Sequence, residues 1–284
     1  MEKKDFNIVF IHRRAKFPVV YAAEHAASLG YDVTVIGEPG WEFRGCKNED
    51  LYNYSNNRKE FRDLYRHISP NKPEYESFCF ERWIILRNYV KEHNLRNVIY
   101  VDSDALIYDG IEIISEISSG KILDTPYLNF FLDIGCLDLL VGEIFRTYRS
   151  DEVINSFISK GVRGDVYYTD MLLFPQLTKV YPDSAKEWSK QMELLGFDRN
   201  INLRGEFQSH FAEVRGIKKI YNKRPNPIGI KVDGEEIAFR FLHFQGRAKS
   251  LMRCYLNGKV ESYSESWWPI INDSAIKLAF DEIG

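Results

Sequence analysis

The strongest constraint on the fold is an alternation near the start of the chain. Phe6-Asn7-Ile8-Val9-Phe10-Ile11 is apolar apart from one Asn, the pattern of a buried strand. Residues 19–29 are rich in Ala and read as a helix, with Gly30 placed to end it. Asp32-Val33-Thr34-Val35-Ile36 is a second strand pattern, stopped by Gly37, Pro39 and Gly40. Strand, helix and strand at this spacing form a βαβ unit. That unit demands a parallel sheet with helices on its faces.

The later pattern extends this α/β reading. Residues 47–57 are polar and Asn-rich and read as loop. Residues 60–68 read as a short helix, and residues 78–93 as a longer one. Phe80, Trp83, Ile84, Leu86, Tyr89 and Val90 make the apolar face of the longer helix. Asn97-Val98-Ile99-Tyr100-Val101 then reads as a strand buried on both faces, running straight into Asp102. Beyond it the expected elements are a strand at 127–132, a helix at 137–148 and a helix at 169–177 that Pro175 would break or kink. A helix at 184–195 and strands at 218–221 and 236–244 follow. There is no internal repeat and no dividing linker. The expectation is therefore one domain over residues 1–284, with a mostly parallel central sheet and a less regular C-terminal part.

Composition removes several alternatives. The 284 residues carry a formal net charge of -3, with Lys and Arg spread rather than clustered, which argues against nucleic acid as partner. The apolar runs at 98–101 and 171–174 are far short of a membrane span. The charged start and the early His12-Arg13-Arg14 do not read as a signal peptide, so the expected location is cytoplasmic. Peripheral attachment at the inner face of a membrane stays open. Cys46, Cys79, Cys136 and Cys254 are widely spaced without a CxxC pair and read as free thiols.

The chemistry concentrates at Asp102-Ser103-Asp104. Carboxylates at i and i+2 project to one side of an extended backbone. Their mutual repulsion calls for a positive partner, and a hard divalent cation such as Mn²⁺ or Mg²⁺ meets that need. The alternative is a solvated surface turn, but Val98–Val101 before the triplet and Ala105-Leu106-Ile107-Tyr108 after it are apolar. Crevices beyond the carboxyl ends of strands are where open α/β sheets bind ligands.

Arg82-Trp83 on a helix, followed by Val98-Ile99-Tyr100-Val101-Asp102-Ser103-Asp104-Ala105-Leu106-Ile107, resembles the DXD signature of GT-A fold glycosyltransferases. The nearest likeness is to bacterial enzymes of capsule and lipopolysaccharide O-chain synthesis. The resemblance implies a Rossmann-like GT-A domain. Residues 1–110 would hold a nucleotide-diphosphate sugar, with a UDP-sugar favoured, and residues 111–284 would hold a glycan or lipid-linked glycan acceptor and complete the metal site. It implies that Asp104 binds the metal directly and that Asp102 contacts the metal or the ribose.

Phe241-Leu242-His243-Phe244-Gln245-Gly246-Arg247-Ala248-Lys249 is the second informative segment. A neutral imidazole is a good ligand for a transition metal. Gly246 permits close backbone approach, and Arg247 and Lys249 are suited to diphosphate oxygens. Relatives of the GT-A type complete the metal site with a late His, which makes His243 the third protein ligand. Taken alone, His243 reads as a core histidine at a strand end; paired with Asp102 and Asp104 it reads as a ligand.

Three further assignments complete the expected site. His12 and Arg13, at the end of the first strand, would reach the nucleotide. Arg82 would sit near the donor, or pair with Glu76 or Glu81. Asp170 is either a helix cap, as Thr169 also can be, or the base that deprotonates the acceptor hydroxyl. The segment 133–136 falls where relatives carry an acceptor loop. Trp267-Trp268-Pro269 reads first as an aromatic cluster packing on the core, with glycan stacking or a membrane surface as the alternatives. Two other functions compete: a catalytically silent sugar-nucleotide-binding or scaffold domain, and a DxD phosphatase. The phosphatase motif normally lies near the N-terminus and continues differently.

Overall fold

The computed structural model describes residues 5–13, 17–161, 168–188, 190–201, 211–214, 217–218, 220–221 and 225–256. In chain order its elements up to residue 186 are β1 (Asn7–His12), α1 (Phe17–Ser28), β2 (Asp32–Gly37), β3 (Lys47–Asp50), α2 (Arg58–Leu64), α3 (Pro73–Glu92), β4 (Val98–Val101), β5 (Ala105–Ile107), α4 (Ile114–Ser118), β6 (Ile122–Leu123), β7 (Leu128–Phe131), α5 (Ile134–Arg149), α6 (Asp151–Gly161), α7 (Asp170–Val180) and β8 (Ala185–Lys186). The chain divides into two compact, interleaved units. The first comprises Met1–Ala15, Tyr31–Asp102 and Glu112–Trp188; the second comprises Lys16–Gly30, Ser103–Ile111 and Ser189–Gly284.

The first unit holds a five-stranded sheet in the order β3-β2-β1-β4-β7. All neighbours are parallel except β7, which pairs antiparallel with β4. This is the mostly parallel, helix-flanked α/β sheet that the strand–helix–strand start demands. Alternate residues of the strands, Val9 and Ile11 on β1 and Val98 and Tyr100 on β4, share one core with the apolar faces of α3, α5 and α7. Trp83 is central there, with its ring 4.6 Å from Tyr100 and 4.9 Å from Phe174. Each such large buried side chain stabilises the unit by about 1.5–3 kcal/mol. All four residues of β4 are buried. The ladder continues one step further, because the Asp102 backbone N–H donates to the Tyr127 carbonyl at 2.8 Å.

Four local expectations change here. The loop expected at 47–57 begins with β3, whose Lys-Asn-Glu-Asp sequence has no apolar alternation; pairing with the edge of β2 makes it a strand. Helix α6, not expected, buries Ile154 and Phe157, an i, i+3 pair. Pro175 does not end α7, which runs on to Val180. The carbonyl deprived of its usual N–H partner belongs to Met171, a residue that is 50 % exposed. The helix expected at 184–195 is instead β8, pairing with β6, followed by a short helix Lys190–Leu194.

In the second unit β5 pairs antiparallel with a strand Phe241–His243, placing His243 opposite Ala105. The Phe244 N–H donates to the Asp104 carbonyl at 2.8 Å, so the ladder continues to the triplet. Helix α1 packs on β5, with the His25 ring 5.1 Å from Tyr108. The single strand expected at 236–244 is two strands, Glu236–Ala238 and Phe241–His243. Between them the N–H groups of Phe239 and Arg240 turn to the carbonyls of Pro227 and Gly196. Gly196 has φ 85°, and a Cβ there would lie 2.1 Å from the Ala238 carbonyl oxygen, so only glycine fits. Among the described residues, no helix is long and apolar enough to cross a membrane.

Candidate functional site

The boundary between the two units falls inside the acidic triplet, after Asp102. Six of the expected site residues form two clusters, Arg82, Asp102 and Asp170 in the first unit and Asp104, His243 and Lys249 in the second.

In the second unit, the β5 ladder brings Asp104 and His243 together. Asp104 Oδ1 lies 3.5 Å from His243 Nε2, and Asp104 Oδ2 lies 2.9 Å from Lys249 Nζ. Both the Asp104 and the His243 side chains are buried, whereas Lys249 is 42 % exposed. His243 Nδ1 is 2.9 Å from the Arg199 carbonyl oxygen. A carbonyl only accepts, so Nδ1 carries a proton, and in the neutral ring the lone pair is then on Nε2, toward Asp104. Asp104 Oδ1 is buried and accepts no hydrogen bond. A buried carboxylate oxygen and an imidazole lone pair thus face each other, an arrangement that a cation between them would satisfy. Burial acts to raise the Asp104 pKa; the neighbouring His243, and then the Lys249 ammonium, outweigh it and hold the carboxyl well below the usual range. These residues fit a divalent metal: one carboxylate, one imidazole of fixed tautomer, and a displaceable lysine.

Gly246 opens a 3₁₀ turn, Gly246–Leu251, at φ 61°, in the left-handed region that glycine tolerates. That turn directs Lys249 back to Asp104. The Arg247 side chain lies outside the described residues, as do Trp267, Trp268 and Pro269.

In the first unit, Arg82 bridges two acids. Its Nη1 is 3.2 Å from Asp102 Oδ2 and its Nη2 is 2.5 Å from Asp170 Oδ2. Asp102 comes from the end of β4, Asp170 from the first turn of α7, and Arg82 from α3. Arg82 therefore pairs with neither Glu76 nor Glu81. Glu81 is bound by Arg58, Arg62 and Ser77, which tie α2 to α3. Asp170 is not a side-chain cap, and Thr169, at the cap position, makes no capping bond. Burial pushes the Asp170 carboxyl up; Arg82 pulls it back and Glu76 and Asp102 add to the rise, leaving it at about 6. Burial opposes the charge on Arg82, but the surrounding negative charge, including Asp170 and Asp102, outweighs that and keeps it firmly cationic.

Two neighbours of Asp170 carried no recognisable sequence pattern. Ligand atoms of Glu76, Cys79 and Asp170 all lie within 4.8 Å of one another. Glu76 Oε2 accepts from Ser69 and Asn71, while Oε1 is buried without a hydrogen-bond partner. The i, i+3 and i+6 spacing of Glu76, Cys79 and Arg82 along α3 is the only sequence signal that could have grouped them. This trio suits a cation less well than the Asp104 pair. Arg82 already supplies positive charge there, and burial, reinforced by Asp170, keeps Cys79 a thiol. Cys46, Cys79 and Cys136 form no disulfide among the described residues, and the Cys254 side chain lies outside them.

His12 ends β1, beside β4 in the parallel sheet, and Arg13 forms a half-exposed pair with Glu38 at 3.4 Å. The segment expected to form an acceptor loop instead starts α5. Asp133 caps that helix, its carboxylate accepting the Gly135 N–H at 2.8 Å.

No protein-family model and no curated protein matches the chain. Among solved structures it is similar to mouse xyloside xylosyltransferase 1 in its apo form, at 9 % identity and TM-score 0.46, covering 69 % of this chain and 87 % of that one. It is also similar to a glycosyltransferase involved in glycosylation of the major capsid of PBCV-1, at 11 % identity and TM-score 0.39, covering 88 % and 98 % respectively.

Proposed function

We propose that the chain is a metal-dependent glycosyltransferase of GT-A type. It would move a sugar from a nucleotide-diphosphate donor, a UDP-sugar favoured, to a hydroxyl of a glycan or lipid-linked glycan in cell-surface polysaccharide synthesis. The observation that carries this reading is the facing pair in the second unit, the unpartnered Asp104 Oδ1 and the Nε2 lone pair of His243. The likeness to the DXD motif assigns Asp102 to the metal or to the ribose of the donor. Mn²⁺ or Mg²⁺ held there supplies Lewis-acid stabilisation of the departing diphosphate. Lys249 and Arg247 are assigned to diphosphate oxygens, Gly246 to close backbone approach, and His12 and Arg13 to the nucleotide.

Asp170 is the proposed base. A carboxylate with a pKa of about 6 is half ionised just below neutral pH and takes up a proton more readily than an ordinary Asp. Arg82 fixes its orientation from one side. The supporting experiment is a panel of UDP-, GDP- and CMP-sugars assayed for hydrolysis with and without Mn²⁺. At least one donor is expected to be cleaved only with metal, and Asp104→Ala should abolish that cleavage in a folded protein. An alanine variant with undiminished turnover overturns the assignment.

A further inference from the structure

Behind His243, in the second unit, lies a polar clamp that the reading so far leaves without a role. Asp198 and Lys218 form an ion pair, and both side chains are fully buried. Charges removed from water in this way are costly unless fully paired, and replacing such pairs by apolar residues is often neutral or stabilising. Stability alone therefore does not explain the pair. Its surroundings point to positioning. Asp198 Oδ1 takes the lysine and the Asn200 N–H, while Oδ2 takes the His243 N–H at 3.4 Å. The segment that Asp198 begins follows the histidine strand closely. The Asp198 N–H donates to the Phe241 carbonyl at 2.9 Å, the Ile201 N–H to the His243 carbonyl at 3.0 Å, and the Lys218 N–H to the Ile201 carbonyl at 3.2 Å. Between these anchors stands the Arg199 carbonyl, the acceptor for His243 Nδ1.

Resting on the metal reading above, we infer that Asp198, locked by Lys218, is a positioning residue for the metal ligand His243. It holds the backbone so that the Arg199 carbonyl fixes the Nδ1–H tautomer and leaves Nε2 directed at Asp104. Partners of this kind behind a ligating histidine typically change metal affinity by about 10–100-fold when removed.

The test uses the full chain with Mn²⁺ alone as probe. Free Mn²⁺ is measured by electron paramagnetic resonance, and histidine tautomers are read by ¹⁵N NMR without metal. Wild-type protein is compared with His243→Ala, Asp198→Asn and the charge-free pair Asp198→Asn/Lys218→Met, which avoids leaving a lone buried cation. Whichever Asp198 variant keeps the wild-type circular dichroism should bind Mn²⁺ about 10–100-fold more weakly. Its His243 signals should move from a single Nδ1–H form to a mixture. A folded variant with wild-type affinity and an unchanged tautomer overturns the inference. Failure of wild-type protein to bind Mn²⁺ instead counts against the metal site itself, and the tautomer signals still decide whether Asp198 fixes the ring.

Discussion

The two acidic clusters meet the same electrostatic problem with different cations. In the first unit Asp102 and Asp170 share Arg82, a side chain only 9 % exposed, stacked 5.1 Å from the Trp83 ring and 5.5 Å from the Tyr100 ring. That guanidinium cannot be deprotonated and has little freedom to leave. In the second unit Asp104 is neutralised by Lys249, a flexible ammonium that is 42 % exposed. A fixed internal cation suits groups that must be held and tuned. An exposed, mobile one suits a position that an incoming cation takes over. On this reading the Arg82 cluster is the place for proton transfer and the Asp104 cluster the place for metal.

The sharpest way to break this division is at Asp170. Asp170→Asn should lower kcat by about 10²–10⁴-fold if Asp170 is the base. The sign of the pH dependence follows from its raised pKa of about 6. The base acts when ionised, so the rate should rise with pH through about 6 and level off above it. Arg82, Glu76 and Asp102 face this carboxyl and set that midpoint together. An acid limb that survives unchanged in Asp170→Asn removes Asp170 from the role.

Next in size is the contrast between the two cations. Arg82→Met removes the cation held against the buried Asp170 carboxylate and should cost about 3–5 kcal/mol in denaturant unfolding. Lys249→Met breaks a partly exposed pair and should cost about 1 kcal/mol or less. Equal losses would erase the distinction. The smallest effect concerns the metal. Lys249→Met removes a competitor for Asp104, so Mn²⁺ affinity should hold or tighten by a few-fold, about 1 kcal/mol at most, while KM for the donor rises. A Mn²⁺ affinity that falls tenfold would mean that Lys249 supports the metal site rather than standing in for the ion.

The sequence carried the first unit better than the second. β1, β2 and β4 each carry four consecutive buried, mostly apolar residues, and burial on both faces is what writes such runs. β3 was illegible because its ladder to β2 is made by backbone groups and its side chains are polar. The second unit is built from strands of two or three residues, too short for any periodicity. Asp104 and His243 were paired by motif and family likeness; their contact depends on the β5 register, which no local pattern encodes. Asp198, Lys218 and the Arg199 carbonyl left no trace, since a buried ion pair and a backbone acceptor have no spacing rule. Arg82 was singled out, but its true partners, Asp102 and Asp170, come from other elements.

On the proposed reading, Asp104 and His243 hold a divalent cation. Isothermal titration of metal-free protein with Mn²⁺ tests it most directly, with wild type, Asp104→Asn and His243→Ala compared at one pH. One Mn²⁺ per wild-type chain is expected, with both variants weakened by at least about tenfold and with unchanged circular dichroism. Equal Mn²⁺ binding by all three proteins would contradict it.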